Sequence, residues 1–296
     1  MILLIPLSMK RAFSSSMGVP YSMAIFAGRP FWGQLIAYFL LGFARSIMCL
    51  LFGLYGACST MGESISLGAM CVAAGYASDV VALASSHFAS AEKQFRFPLG
   101  YGNQRPVSST WTVTGAGAYI LSCDNKDRLG AYRDYPYDVI VKGITTGKIV
   151  DYGVKDSMNM GACMAPAAAQ LIAANYNDFE IKNDYYDMVI TGDLGDIGRT
   201  ILLELLKEKG INISGIYTDC GMQIYESEKQ GTMSGGSGCG CSAVVLETFI
   251  LSKLRSGDMR RVLFIPTGAL LSQVSFNEGK SVPGIAHGIV LESVAK

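Results

Sequence analysis

Two glycine-flanked cysteine turns, each opening a helix of small residues that leads to a strand, constrain this 296-residue chain more than any other feature. The first copy reads LFGLYGACST, a small-residue stretch from Met61 to Ala74, Gly75, then DVVALASS. The second reads GGSGCGCSAVV, a periodic stretch from Val244 to Leu254, Gly257, then RRVLFIPTGA. Cys58 stands 22 positions before Val80, and Cys241 stands 21 before Val262. Such an echo is the signature of duplicated halves related by a pseudo-twofold. Each copy reads as strand, sharp turn, helix, glycine cap and strand.

Other segments continue the alternation. Tyr119–Cys123, Ile144–Asp151, Tyr186–Thr191 and Ile285–Leu291 read as strands, whereas Met160–Asn175 and Ile197–Lys209 read as helices. Pro166 must sit in the first turn of its helix or kink it. Asp124 to Tyr137 reads as a polar surface loop. Strands alternating with helices imply mostly parallel sheets covered on both faces.

The chain has a large core to build, with half of its residues hydrophobic and 16% charged. Its 24 basic and 24 acidic residues cancel, and no basic tract carries the signature of nucleic-acid binding. Eight cysteines in a chain of this size, without a cleavable signal peptide, read as reduced intracellular thiols. Cys239-Gly240-Cys241 is too tight for a zinc knuckle, and two histidines cannot complete a zinc cluster, so neither metal nor cofactor is expected. Ile36 to Tyr55 is about membrane-spanning length with one charge, Arg45. The alternative is a buried helix followed by a buried strand, Leu50–Tyr55. That reading is favoured because the run feeds straight into the Gly56 turn.

Cys58, where a strand opens into a helix, meets unpaired N–H groups and the positive end of the helix dipole, which favour a thiolate. Gly56 permits a tight turn, and Ser59 and Thr60 stand where helix caps are placed. The competing reading is a small buried cysteine that packs as a hydrophobe.

A resemblance makes the pattern specific. Gly56-Ala57-Cys58-Ser59-Thr60 with Glu63-Ser64, Ser85-Ser86-His87, Ala91 to Pro98, Tyr101-Gly102 and Thr112 to Gly117 are similar to the stage V sporulation protein AD family. So are Met164 to Ala168, Thr191-Gly192-Asp193-Leu194, Asp219-Cys220-Gly221, Gly235 to Val245, Thr267 to Ser272 and Ile285-Ala286-His287-Gly288, in order from about Leu51 to Glu292. The resemblance implies a thiolase-like fold, two similar α/β halves in five layers, assembled as a homodimer. It implies a role in endospore formation: binding dipicolinic acid, as the free acid or calcium chelate, for uptake into the forespore. The expected location is peripheral, on the inner spore membrane beside membrane proteins of the same operon. Cys58 then occupies the position where thiolases keep their nucleophile.

The departures bear on activity. Working thiolases pair that cysteine with a Gly-His-Pro histidine near the second turn, where this chain has Gly235-Gly236-Ser237-Gly238. Without that base, condensation chemistry loses thiolate activation and oxyanion stabilisation. The expectation is a binding protein, with a Cys58-dependent acyltransferase as the alternative. Candidate ligand residues are Cys58, Ser86 and His87, then Lys93, Gln94 and Arg96 as cations and donors for an aromatic diacid. Gly236 and Cys239 lie in a glycine-rich stretch able to offer an anion nest. Asp193 either orients a polar group or binds calcium, against the alternative of a surface turn; His287 either lines the pocket or is a core histidine. Three regions follow: an atypical, truncated or frame-shifted 1–50 lacking the family's early strands, a first half at 51–143 and a second at 144–296.

Overall fold

A computed structural model describes residues 2–6, 22–28, 50–95, 105–123, 135–181 and 184–296. Among these residues the main sheet has ten strands in the order β3-β2-β4-β6-β1-β7-β14-β11-β8-β9. The first five are β1 (Ile2–Pro6), β2 (Ser22–Gly28), β3 (Leu50–Leu54), β4 (Asp79–Ser86) and β6 (Gly115–Cys123). The other five are β7 (Tyr137–Thr145), β8 (Met188–Thr191), β9 (Tyr217–Asp219), β11 (Arg261–Ile265) and β14 (Gly288–Ala295). Two short ladders complete the set: β5 (Trp111–Thr112) with β10 (Gly236–Ser237), and β12 (Thr267–Ala269) with β13 (Gly284–Ala286).

The two halves of the sheet repeat one plan. From the β3 edge inwards, β3, β2 and β4 run parallel, and β6 and β1 each reverse direction. From the β9 edge inwards, β9, β8 and β11 run parallel, and β14 and β7 reverse in the same manner. The antiparallel β1–β7 contact, Ile2 opposite Val141 and Leu3 opposite Ile140, joins the halves.

Two helices lie at the centre. α1 (Thr60–Ala73) follows β3, and its Met61, Ile65, Ala69 and Val72 are buried on the inner core. Gly68 permits this depth, because a Cβ there would lie 2.7 Å from Leu121 Cδ1. Its counterpart, the helix that begins at Cys239, precedes β11 as α1 precedes β4. The outer face of the second half is covered by α3 (Met160–Asp178) and α4 (Gly195–Glu208), which share a separate core around Met164, Ile172, Leu202 and Leu206. Pro166 stands in the second turn of α3. Between the halves, α2 (Phe88–Phe95) leaves the end of β4.

Several expectations are corrected. Early strands exist: β1 and β2 occupy the region where the sequence shows none, so the first half-sheet has five strands. Leu50–Leu54 is an edge strand, and Leu51, Phe52 and Tyr55 are exposed, so this run is not buried. Its pairing with β2 also excludes a helix ending at Tyr55, while 36–49 lie outside the described residues. The strand read at Ile144–Asp151 is instead Tyr137–Thr145, which crosses the 143/144 boundary and pairs with β14. Among the described residues, no helix is long and apolar enough to cross a membrane.

Candidate functional site at the paired elbows

The first elbow is a 3-10 turn, Ala57–Ser59, between β3 and α1. Ala57 has φ +52°, a left-handed conformation that costs an L-residue about 1–2 kcal/mol, and it stands immediately before buried Cys58. The hydroxyls of Ser59 and Thr60 do not cap the helix. Ser59 Oγ donates to Gly56 O at 2.6 Å, Thr60 Oγ1 donates to Ala57 O, and Thr60 Oγ1 accepts from Gly56 N at 3.2 Å. They clasp the turn instead. The second half closes on it: a Cβ on Gly268 would lie 2.3 Å from Gly56 O. Glu63 reaches back along the same turn, with Oε2 buried and lacking a hydrogen-bond partner among the described residues, and burial pushes its carboxyl up.

The second elbow opens α6 (Cys239–Val245), which continues through a π turn at Leu246–Leu251 into Ser252–Ser256. Gly238, at φ +98°, donates its N–H to Asp193 Oδ2 at 2.9 Å. Gly240 N donates to Ser86 Oγ at 3.0 Å, and Ser86 Oγ donates to Val113 O at 2.7 Å. Cys239 Sγ points its proton at Ser85 O, 3.0 Å away. Trp111 N and Val113 N bond Gly235 O and Ser237 O, so β5 stitches the end of β4 to this turn. The N–H groups of Gly238 and Gly240 therefore already serve protein acceptors, and Gly236 is buried within the β5–β10 ladder.

The elbows converge. α1 and α6 are in contact, and Cys58 joins the groups that raise the Cys241 thiol, after burial, Cys220, Asp193 and Asp219. Cys220, at the start of α5 (Cys220–Ile224), is also pushed well up, chiefly by burial. Such thiols stay protonated and inert.

Two buried carboxyls support this cluster from the C-terminal ends of β8 and β9. Asp193 is 1% exposed, not on a surface turn; its Oδ1 accepts from Thr267 Oγ1 at 3.0 Å. Asp219 accepts from Thr191 Oγ1 at 2.6 Å, Leu194 N at 2.9 Å, Gly221 N at 3.0 Å and Gly195 N at 3.1 Å. Burial pushes Asp219 up to about 6, with Asp193 adding to the shift and the Thr191 hydroxyl opposing it. Asp219 was singled out only as part of a motif, although an Asp after a strand and two residues before Gly221 is an N-cap pattern.

His287, between β13 and β14, is buried beside the first helix: a Cβ on Gly62 would lie 3.2 Å from His287 Cβ. Its Nδ1 accepts from Gly147 N at 3.5 Å, so the neutral ring carries its proton on Nε2, which has no hydrogen-bond partner among the described residues. Burial lowers its pKa. His87 is half-buried at the end of β4, and its carbonyl accepts from Ala91 N at 3.1 Å. Lys93 and Gln94 lie on α2, where the backbone alone is described; Arg96 lies outside the described residues. A separate cleft of about 320 Å³, lined by Tyr176, Asn177 and Lys209 among others, sits at the C-terminal ends of α3 and α4, away from the elbows.

The architecture aligns with several solved structures. A tetronic acid condensing enzyme superposes with a TM-score of 0.55 at 14% identity over 96% of this chain and 83% of its own. The 3-oxoacyl-[acyl-carrier-protein] synthase III of Aquifex aeolicus VF5 gives 0.54 at 11% identity, covering 96% and 80%. OleA of Xanthomonas campestris, determined with bound lauric acid and lauroyl-CoA, gives 0.55 at 10%, covering 92% and 76%. Duplicated half-sheets with a cysteine elbow and these neighbours define a thiolase-like α/β protein. In sequence, residues 25–292 match the profile of stage V sporulation protein AD. The Bacillus subtilis (strain 168) protein of that description is 41% identical over 239 residues, 81% of this chain and 67% of the relative. The chain belongs to the stage V sporulation protein AD family.

Proposed function

We propose that this sporulation-family protein binds dipicolinic acid, free or as its calcium chelate, at the paired elbows without transforming it, for uptake into the developing endospore. The observation that carries the reading is the second elbow. Where a working thiolase holds a histidine, this turn is a ladder of Gly236 and Ser237, tied down by Asp193 and Ser86. The neutral His287 Nε2–H, buried beside α1, is a donor suited to a carboxylate oxygen. Cys58 and His87 complete the proposed lining. Calorimetric titration with dipicolinic acid, with and without calcium, tests it: saturable binding is expected, weakened by His287→Ala, and no heat of binding would overturn it.

The second reading, a Cys58-dependent acyltransferase, draws on the likeness to condensing enzymes. Intact mass after incubation with acetyl-CoA separates the two. An unmodified chain is expected, and a stable adduct on Cys58 would favour the enzyme. We also propose a homodimer seamed along β3, whose outer edge has no partner strand among the described residues and whose exposed Leu51 and Phe52 face a second copy. Peripheral membrane association beside partners of the same operon completes the reading; extraction by alkaline carbonate is expected.

A further inference from the structure

Beside the second elbow stands a stack that the sequence reading passed over. Phe88, the first residue of α2, lies parallel to Trp111 with ring centroids 5.1 Å apart and planes 12° from parallel. The Arg105 guanidinium sits 3.7 Å above the Trp111 ring centroid and 5.9 Å from that of Phe88. The stack is anchored on two elements. Trp111 pairs with Gly236 in the ladder leading into α6, and Phe88 N donates to Thr114 Oγ1 at 3.0 Å, directly after His87 at the end of β4. Trp111 Nε1 is buried and lacks a hydrogen-bond partner among the described residues, so the slab carries an unused donor. All three side chains are half-buried.

We propose that Arg105, held over the Trp111 ring, is the cation that grips a carboxylate of a planar aromatic diacid beside the second elbow. This rests on the binding function proposed above and assigns its charge recognition to residues not previously singled out. A stacked guanidinium keeps its plane fixed, and its fork matches a carboxylate in two parallel hydrogen bonds. Cation–aromatic contact orders the long side chain before ligand arrives, which reduces the entropy lost on binding. The Trp111 indole N–H stands in the same slab to meet a second oxygen. A lysine at the same position would keep the charge and lose both the fork and the stack.

The test is calorimetric titration of dipicolinic acid into the full chain and into Arg105→Ala, Arg105→Lys and Trp111→Phe, with thermal melting as a check on folding. Arg105→Ala is expected to weaken binding by about 10- to 100-fold, the range for loss of a charged hydrogen-bonding pair. Arg105→Lys should recover only a minor part of that loss, and Trp111→Phe, which keeps the slab, should cost far less. In a Trp32→Phe background, Trp111 emission should change with the same saturation as the heat, a readout that stands even if Arg105→Ala fails to fold. Unchanged affinity in a folded Arg105→Ala, or Trp111 emission blind to a bound acid, overturns the assignment and leaves the binding function standing. A native chain that takes up no acid overturns both.

Discussion

The N–H of Gly238 is donated to Asp193 Oδ2 at 2.9 Å, across 45 residues of sequence, within a layer closed to solvent. This bond locks the turn that opens α6 to the end of β8, and Thr267 Oγ1 holds the other carboxylate oxygen at 3.0 Å. The second elbow is thus fixed by a side chain from a different strand, and its shape does not depend on a ligand.

Asp193→Ala should accordingly destabilise the chain. Two buried donors, Gly238 N–H and the Thr267 hydroxyl, lose their acceptor, at about 1–3 kcal/mol for each. Urea unfolding measures this; a change under about 1 kcal/mol would show that the bond contributes little.

The pH profile of stability should bend in two directions. Asp219 has its folded pKa raised from 3.8 to about 6, so the folded chain holds a proton that the unfolded chain releases. Its contribution is greatest below pH 4 and is lost as pH rises through about 6. His287 is shifted the other way, below 6.5, so its contribution is present above pH 6.5 and is lost as pH falls through the lowered folded value. Difference profiles of Asp219→Asn and His287→Asn against the native chain, from pH 4 to 8, should show these opposite slopes. Parallel profiles would contradict both assignments.

Close approach between the halves should make Gly268 intolerant. A Cβ there would meet Gly56 O at 2.3 Å and Ser59 N at 3.0 Å, both backbone atoms that cannot swing aside. Gly268→Ala should cost roughly 1–3 kcal/mol or more, the range for overpacking. Gly215→Ala, with nothing within 4 Å, should stay within about 0.5 kcal/mol of the native chain. Thermal melting of both variants decides it.

Thiol labelling should rank the cysteines by burial. Cys123 is exposed, whereas Cys220 and Cys241 are fully buried with raised pKa values. Alkylation followed by peptide mass spectrometry should mark Cys123 within minutes, leaving Cys220 and Cys241 unmodified until the chain unfolds. Early labelling of Cys241 would mean that the second elbow is open.

Much of this was legible in the sequence because it is written locally. The echo of glycine, cysteine, small-residue helix and strand identifies α1 with β4 and α6 with β11, while alanine richness locates α3 and helical periodicity locates α4. What escaped depends on distant partners. An aspartate after a glycine reads as a surface turn, and Asp193 is buried only because Thr267 and Gly238 supply its hydrogen bonds. An apolar run such as Leu50–Leu54 reads as buried, and the end of the sheet exposes it. Phe88 lies on α2, and Arg105 and Trp111 lie six residues apart on the segment entering β5, so no helix or strand spacing rule joins the three.

A crystal structure grown with dipicolinic acid tests the central claim most directly. The acid is expected between the Cys58 turn and the Gly236–Cys241 turn, within hydrogen-bonding reach of His287 Nε2 and the Arg105 guanidinium, and chemically intact. Acid bound instead in the cleft at Tyr176 and Lys209, or an acyl group covalently attached to Cys58, would contradict the account.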